Sequence, residues 1–287
     1  MAQPAFNSAA AARRTVDRAL PVRRRTEAKP PTEMELKFAQ LQKDYAELHA
    51  AIFEAAQVHR RLCAPRQLRF GDFELASEIF AVRHLPGDFF TVEQTSDGVV
   101  LALGDICGKG LAAGMWTTHV VGMVRAHTAR TSTPERIVSQ VNRDICRMST
   151  LRALASLFLA KLDPATGDLF YCSAGHPPAF LLRANGEFES LSDGGLLLGV
   201  LDDAKYRSGR VKLDPTDTLL IFSDGILESQ NARGEEFGYD RLKAELAKAN
   251  STSADAILFS VLGAVQDFAT IRPLMDDMTL AVVRRDG

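Results

Sequence analysis

Apolar residues recur along this chain in two rhythms, and the change from one to the other divides it. From Met34 the inward positions step by four and three through Phe38, Leu41, Tyr45, Leu48, Ile52, Ala55, His59 and Leu62. Such spacing is the a/d seam of a coiled coil, sustained here for about four heptads. Glu33, Glu35 and Glu47 stand early and Arg60 and Arg61 late, in accord with the helix dipole. A helix lying on its own domain shows a wider apolar stripe. The narrow line therefore predicts a parallel homodimer through residues 33–62. Tyr45 and His59 make the seam imperfect, and an imperfect seam can change register.

Beyond Pro65 the rhythm shortens. Apolar runs predict strands over Phe73–Arg83, Val99–Ile106, Ala155–Leu162, Leu169–Ala174, Ala179–Arg183, Phe188–Leu191, Ser208–Leu213, Thr218–Phe222 and Met278–Arg284. Helical spacing covers Leu111–Ala129, Thr133–Met148, Asp240–Lys248 and Ser253–Phe268, the second capped by Thr133 with Pro134 at its first position. DPATGD and RANGEF read as hairpin turns. Strands crowded into hairpins, with helices before and after, predict an α+β layered domain and not a doubly wound parallel sheet. Trp116 and the methionines of the 114–123 helix read as core.

Composition changes this picture at one end only. Residues 1–32 are basic and proline-punctuated, with Arg13, Arg14, Arg18, Arg23, Arg24 and Arg25 before Lys29-Pro30-Pro31. Too few large apolar side chains are present there to offset ordering entropy, so a disordered tail is expected. The domain reading is a tail at 1–32, a linker and dimerisation helix at 33–66 and a folded domain at 67–287. Net charge is −2, which with no basic motif argues against a nucleic-acid partner. Cys63, Cys107, Cys146 and Cys172 form no CxxC pair, as expected of reduced, mostly buried thiols in the cytoplasm. No apolar run approaches the roughly 18 residues of a membrane span, and the N-terminus lacks a secretory block.

Candidate chemistry gathers around LALGDICGKG at Leu101–Gly110, an apolar run that delivers Asp105 to a glycine-rich turn. Asp88 in PGDFF, Asp224 in FSDG and Asp276-Asp277 in MDDMTL occupy similar settings. Each has a plain alternative: Asp224-Gly225 as a turn, Asp88 as loop punctuation, Asp276 as the cap of the last strand. If Asp88, Asp105, Asp224 and Asp276 converge, four carboxylates repel unless cations compensate them. Two divalent ions would balance four formal charges, and all-oxygen ligation favours Mg²⁺ or Mn²⁺ over zinc. Such a pair can activate water and hold a phosphoryl group. Lys109 fails the P-loop pattern GxxxxGK[ST], because Leu103 and Gly110 occupy two of its required positions. It reads as a loop residue, with contact to substrate as the lesser reading. His176 in AGHPP reads as a satisfied turn residue.

PGDFF, LALGDICGKGLAAGM, ASLFLAKLDPATGDLFYCSAGHPPAFLLR, LDPTDTLLIFSDGILESQNARGEEFG and DDMTLAVVR occur in order along the chain. Together they resemble the PPM (PP2C-type) serine/threonine phosphatases, in the bacterial branch that includes SpoIIE and RsbU. The resemblance runs from about residue 56 to 284. It implies an α/β/β/α sandwich of two antiparallel sheets flanked by helices, preceded here by the coiled-coil-like helix. It also implies two Mn²⁺ or Mg²⁺ ions held by Asp88, Asp105, the Ile106 carbonyl, Asp224 and Asp276, with Asp88 and Asp105 flanking a bridging water. Asp277 and Gly87 take supporting positions.

The resemblance further implies hydrolysis of phosphoserine or phosphothreonine on a regulatory protein, a STAS-type anti-sigma-factor antagonist. AAQVHRRLCAP resembles the segment that joins the catalytic domain of this branch to a sensor or dimer partner, so an upstream sensor protein is expected to act through residues 33–66. The alternatives are a catalytically weak, partner-binding regulator of the same fold and a small-molecule phosphoesterase. Three departures stand out: Thr91 where the family often has a second Asp, Cys107 where Ser is usual, and His84 near a common Glu. None removes an implied ligand.

Overall fold

A computed structural model describes residues 31–63, 67–131, 133–148, 153–249, 253–269 and 274–287. The basic tail expected at 1–32 lies outside these residues except for its last two. The chain begins with α1 (Glu33–Cys63), whose start is fixed by a capping box. The Glu35 amide donates to the Thr32 hydroxyl at 3.3 Å, and the Thr32 amide donates to the Glu35 carboxylate at 2.6 Å. The seam side chains Met34, Phe38, Leu41, Tyr45 and Leu48 are all more than half exposed, whereas His59 and Cys63 are buried. The chain separates into two units, and the boundary falls inside α1 between Glu47 and Leu48.

Four early strands follow: β1 (Gln67–Phe70), β2 (Phe73–Phe80), β3 (Phe89–Thr95) and β4 (Gly98–Ile106). Next come α2 (Leu111–Thr128) and α3 (Pro134–Arg147). Strands β5 (Ala155–Leu162), β6 (Asp168–Ala174), β7 (Ala179–Leu182), β8 (Phe188–Leu191), β9 (Gly194–Gly195), β10 (Gly209–Lys212) and β11 (Thr218–Phe222) precede a single helical turn, α4 (Asp224–Leu227). The chain closes with α5 (Gly238–Ala249), α6 (Ala254–Ala269) and β12 (Met278–Arg285).

Two sheets form, ordered β1-β2-β12-β11-β7-β8 and β10-β6-β5-β4-β3. All pairings are antiparallel except that of the short β9, which runs parallel to β6. The alternation of side chains explains why four layers stack. On β11, Leu219 and Ile221 enter the core between the sheets, while Leu220 and Phe222 face α5 and α6. On β4, Leu101 and Leu103 enter that same central core, while Val100, Ala102 and Ile106 meet α2 and α3. Strands apolar on both faces must be covered on both, and the α/β/β/α sandwich does so.

Some expectations need correction. Thr133 occupies the N-cap of α3 but makes no side-chain capping bond, and Pro134 at the first position sets the start. Met115 is 67% exposed and is no core residue, whereas Met123 is buried. Among the cysteines, Cys107 is exposed and Cys146 half-buried; all four are free thiols. No described helix is long and apolar enough to cross a membrane.

Candidate functional site

Antiparallel pairing brings the aspartates to one end of both sheets. In the β3–β4 ladder Phe89 faces Gly104, so Asp88, just before β3, and Asp105, near the end of β4, meet at the same end. In the β11–β12 ladder Phe222 faces Leu280, so Asp224, opening α4 after β11, comes beside Asp276 and Asp277, just before β12. The β3–β4 sheet thus contributes the pair Asp88 and Asp105, and the other sheet the pair Asp224 and Asp276 with Asp277 beside them.

The first pair is enclosed. Asp88 is 1% exposed, and its Oδ2 accepts the Thr279 hydroxyl at 2.6 Å; the Ser223 hydroxyl also bonds it. Burial, then the Asp105 charge, push the Asp88 carboxyl well above the usual range. Asp105 is pushed up to about 7 by burial, then by the charges of Asp224, Asp276 and Asp277, while a hydrogen bond with Asp88 opposes them. Asp105 therefore stands within reach of each of the other suspected aspartates. The second pair is more open. Asp224 is raised by burial and then by Asp276, against which backbone amides and the Lys109 ammonium work. Lys109 Nζ lies 2.8 Å from Asp276 Oδ2.

Asp277 does a different job from its neighbour. Its Oδ1 accepts the Val82 amide and its Oδ2 the Gly87 amide, both at 2.7 Å. It thus fastens the 82–87 loop, and with it Asp88, to the start of β12. Thr117 on α2 adds a second tie, its hydroxyl donating to the Gly87 carbonyl at 2.8 Å.

The donor set is of the chemical type that hard cations take. A Cβ on Gly87 would come within 3.1 Å of both Asp105 Oδ1 and the Ile106 carbonyl, and 3.4 Å from the Gly108 carbonyl. The three atoms nearest the missing side chain are all oxygens, the ligand type that Mg²⁺ and Mn²⁺ take. Among the described residues, no three His, Cys, Asp or Glu side chains stand close enough to form a ligating group as they are. The carboxylates are turned toward protein partners: Thr279 and Ser223 for Asp88, Lys109 for Asp276, two amides for Asp277. Beside the open pair lies a cleft of about 250 Å³ lined by Lys109, Gly225, Glu228, Ser229, Gln230, Met275 and Asp276.

His176 is buried outside the cluster, beneath it. Its Nδ1 lies 2.8 Å from the Ser156 hydroxyl and its Nε2 3.1 Å from the Phe222 carbonyl. The carbonyl must accept, so Nε2 carries the proton and Nδ1 accepts from Ser156. The ring is neutral, its pKa lowered to about 3 by burial. It bridges the sheets at the level of the site, a larger role than the turn residue expected from AGHPP. Ser223, Thr279 and Thr117 escaped notice altogether. Only Ser223 stands directly beside a flagged aspartate; Thr279 lies two residues from Asp277 and Thr117 is followed by Thr118 in α2, so neither carries a local signal.

Residues 95–286 match the family described as Stage II sporulation protein E (SpoIIE). The phosphoserine phosphatase RsbU of Bacillus subtilis is 24% identical over 242 residues, 83% of this chain and 71% of RsbU. Among solved structures, the SiaA-PP2C domain of Pseudomonas aeruginosa superposes with a TM-score of 0.73 at 18% identity, covering 85% of this chain and 99% of that one. RsbX, solved in complex with magnesium, gives a TM-score of 0.60 at 15% identity over 77% of this chain and 99% of its own.

Proposed function

This chain belongs to the SpoIIE family of PPM-type protein serine/threonine phosphatases, and from that premise we propose that it hydrolyses phosphoserine or phosphothreonine on a regulatory protein at the carboxylate cluster. Asp88, Asp105, Asp224, Asp276 and the Ile106 carbonyl would hold two Mn²⁺ or Mg²⁺ ions. Bound there, the ions supply Lewis acidity and an activated water for attack on phosphorus. The chain's own part is positional. Thr279 and Ser223 hold Asp88, Asp277 clamps the loop that carries it, and Gly87 keeps the space beside the Asp105 and Ile106 oxygens clear.

The observation that carries this reading is the convergence of one carboxylate pair from each sheet, where burial and then the neighbouring carboxylates push Asp105 up to about 7. Phosphate monoester hydrolysis is among the slowest uncatalysed reactions, so concentrated positive charge on the phosphoryl oxygens is the main requirement. A magnesium-bound relative of the same fold supports the cation type. The test is Mn²⁺-dependent phosphate release from a phosphoserine protein, compared with Asp224→Asn. Turnover should fall by a factor on the order of 10³ in the variant; equal turnover would end the assignment.

The substrate favoured is a phosphorylated STAS-domain antagonist of an anti-sigma factor, a reading supported by similarity to a phosphoserine phosphatase of the RsbU type. Residues 33–62 would pair two chains, because Met34, Phe38, Leu41, Tyr45 and Leu48 form an exposed apolar line. An upstream sensor protein would act through that helix. Support for such coupling lies at its end, where His59 and Cys63 line the same small cavity as His84 and Pro86, two residues before Asp88. Light scattering at micromolar concentration should give a dimer, and a monomer would reject the seam.

A further inference from the structure

Lys109 is the residue the sequence left without a task. Gly108 and Gly110 on either side adopt φ of +128° and +84°, conformations that side-chain-bearing residues avoid, so the turn is set by the backbone. It carries the Lys109 stem over the open pair of carboxylates. There Nζ lies 2.8 Å from Asp276 Oδ2 and donates to the Met275 carbonyl at 2.6 Å. Burial and neighbouring acids raise Asp224 and Glu228, and the Lys109 ammonium opposes both.

Given the assignment of Asp276 as a metal ligand above, we propose that Lys109 is a built-in counter-cation for that carboxylate, one that a divalent ion must displace, so that the 108–110 turn sets the metal affinity of the open half of the site. Asp276 Oδ2 already accepts the ammonium at 2.8 Å and its Oδ1 accepts the Asp277 amide at 2.9 Å, so a divalent ion taking either oxygen competes with a bond already made, and at Oδ2 with a like charge close by. The pair is also poorly suited to a purely architectural role. Both side chains are about 40% exposed (43% and 39%), and half-exposed ion pairs contribute little to folding. The segment they join is already fastened through Asp277 to the Val82 and Gly87 amides. What the pair does control is whether Asp276 is available. An ammonium on a flexible four-carbon stem can leave, and Glu228 and Ser229 line the cleft beside it as alternative partners.

The experiment is a Mn²⁺ titration of the full chain without substrate, reading free Mn²⁺ by electron paramagnetic resonance. Lys109→Met, which keeps the apolar stem, should bind the weaker ion about threefold to tenfold more tightly than the native chain. Lys109→Gln should move the same way, and Lys109→Arg should stay near native affinity. Unchanged or weaker binding in Lys109→Met overturns the proposal. Asp276→Asn and Asp224→Asn separate this failure from a deeper one. If they lose Mn²⁺ while Lys109→Met is unchanged, only the counter-cation role falls. If they bind Mn²⁺ like the native chain, the metal reading falls and this proposal with it.

Discussion

On the β3–β4 side of the cluster, Asp88 is withdrawn from solvent and held by two hydroxyls; on the β11–β12 side, Asp276 is part exposed and faces a lysine. Neutral hydroxyls fix a carboxylate without satisfying its charge, so burial and the neighbouring acid leave Asp88 shifted far upward. An ammonium satisfies the charge but competes for the same oxygens. The enclosed flank therefore carries an electrostatic cost that a proton or a metal ion relieves, whereas the open flank already has a cation beside it. Both arrangements suit a site whose metal is loaded after folding, one by demand and the other by restraint.

Removing the acid on the enclosed flank gives the largest expected effect. Asp88→Asn keeps an oxygen for the Thr279 hydroxyl and deletes the charge. Turnover should fall by a factor on the order of 10³ or more. Metal-free stability should rise by about 1–2 kcal/mol, because the cost of burying an acid beside Asp105, whether ionised or protonated, is gone. Thermal unfolding without added metal would show this as a gain of about 2–4 °C per kcal/mol. On the open flank, Asp276→Asn should leave metal-free stability within about 0.5 kcal/mol of native. A marked loss of stability in Asp88→Asn would mean that Asp88 is part of the scaffold, and the contrast between the flanks would disappear.

How much of this could be read from the chain follows the same division between backbone and side-chain partners. Alternation along β4, β5, β11 and β12 exposed both sheets, because each strand is apolar on two faces and the run is long. Strand β3 escaped because only Phe89, Phe90 and Thr91 are buried, directly after a motif that reads as a loop. Helix α4 is one turn, too short for any period, β9 has two residues, and β1 buries only Phe70 and so shows no apolar run. The four aspartates were visible because each ends or begins a strand. Their partners were not: Lys109–Asp276 and Thr279–Asp88 join positions far apart in sequence, and nothing local marks a lysine or threonine for such a role. The distinction between Asp276 and a supporting Asp277 came from the family resemblance and not from the local pattern, in which the two aspartates look alike.

His176 offers the smaller and finer test, because it holds the enclosed flank together without touching a carboxylate. Its two ring nitrogens tie Ser156 on β5, the register partner of Asp105, to the Phe222 carbonyl at the end of β11, two residues before Asp224. Replacing it by Phe fills the space but strands both partners, at a cost of about 2–4 kcal/mol at pH 7.5. The same change should remove a source of acid sensitivity. The folded-state pKa, about 3, lies below the unfolded value of 6.5, so the folded protein binds fewer protons between these limits. Stability from the neutral ring is complete above pH 6.5 and is lost as pH falls toward 3. At pH 4.5 the native chain should have lost about 2–3 kcal/mol on this account, and His176→Phe none of it. Urea unfolding of both proteins at pH 7.5 and 4.5 isolates the effect, since titrations common to the two cancel in the difference. Equal acid sensitivity in both would mean that the ring charges freely in the folded protein, and that the two sheets are not joined through a neutral imidazole at the level of the site.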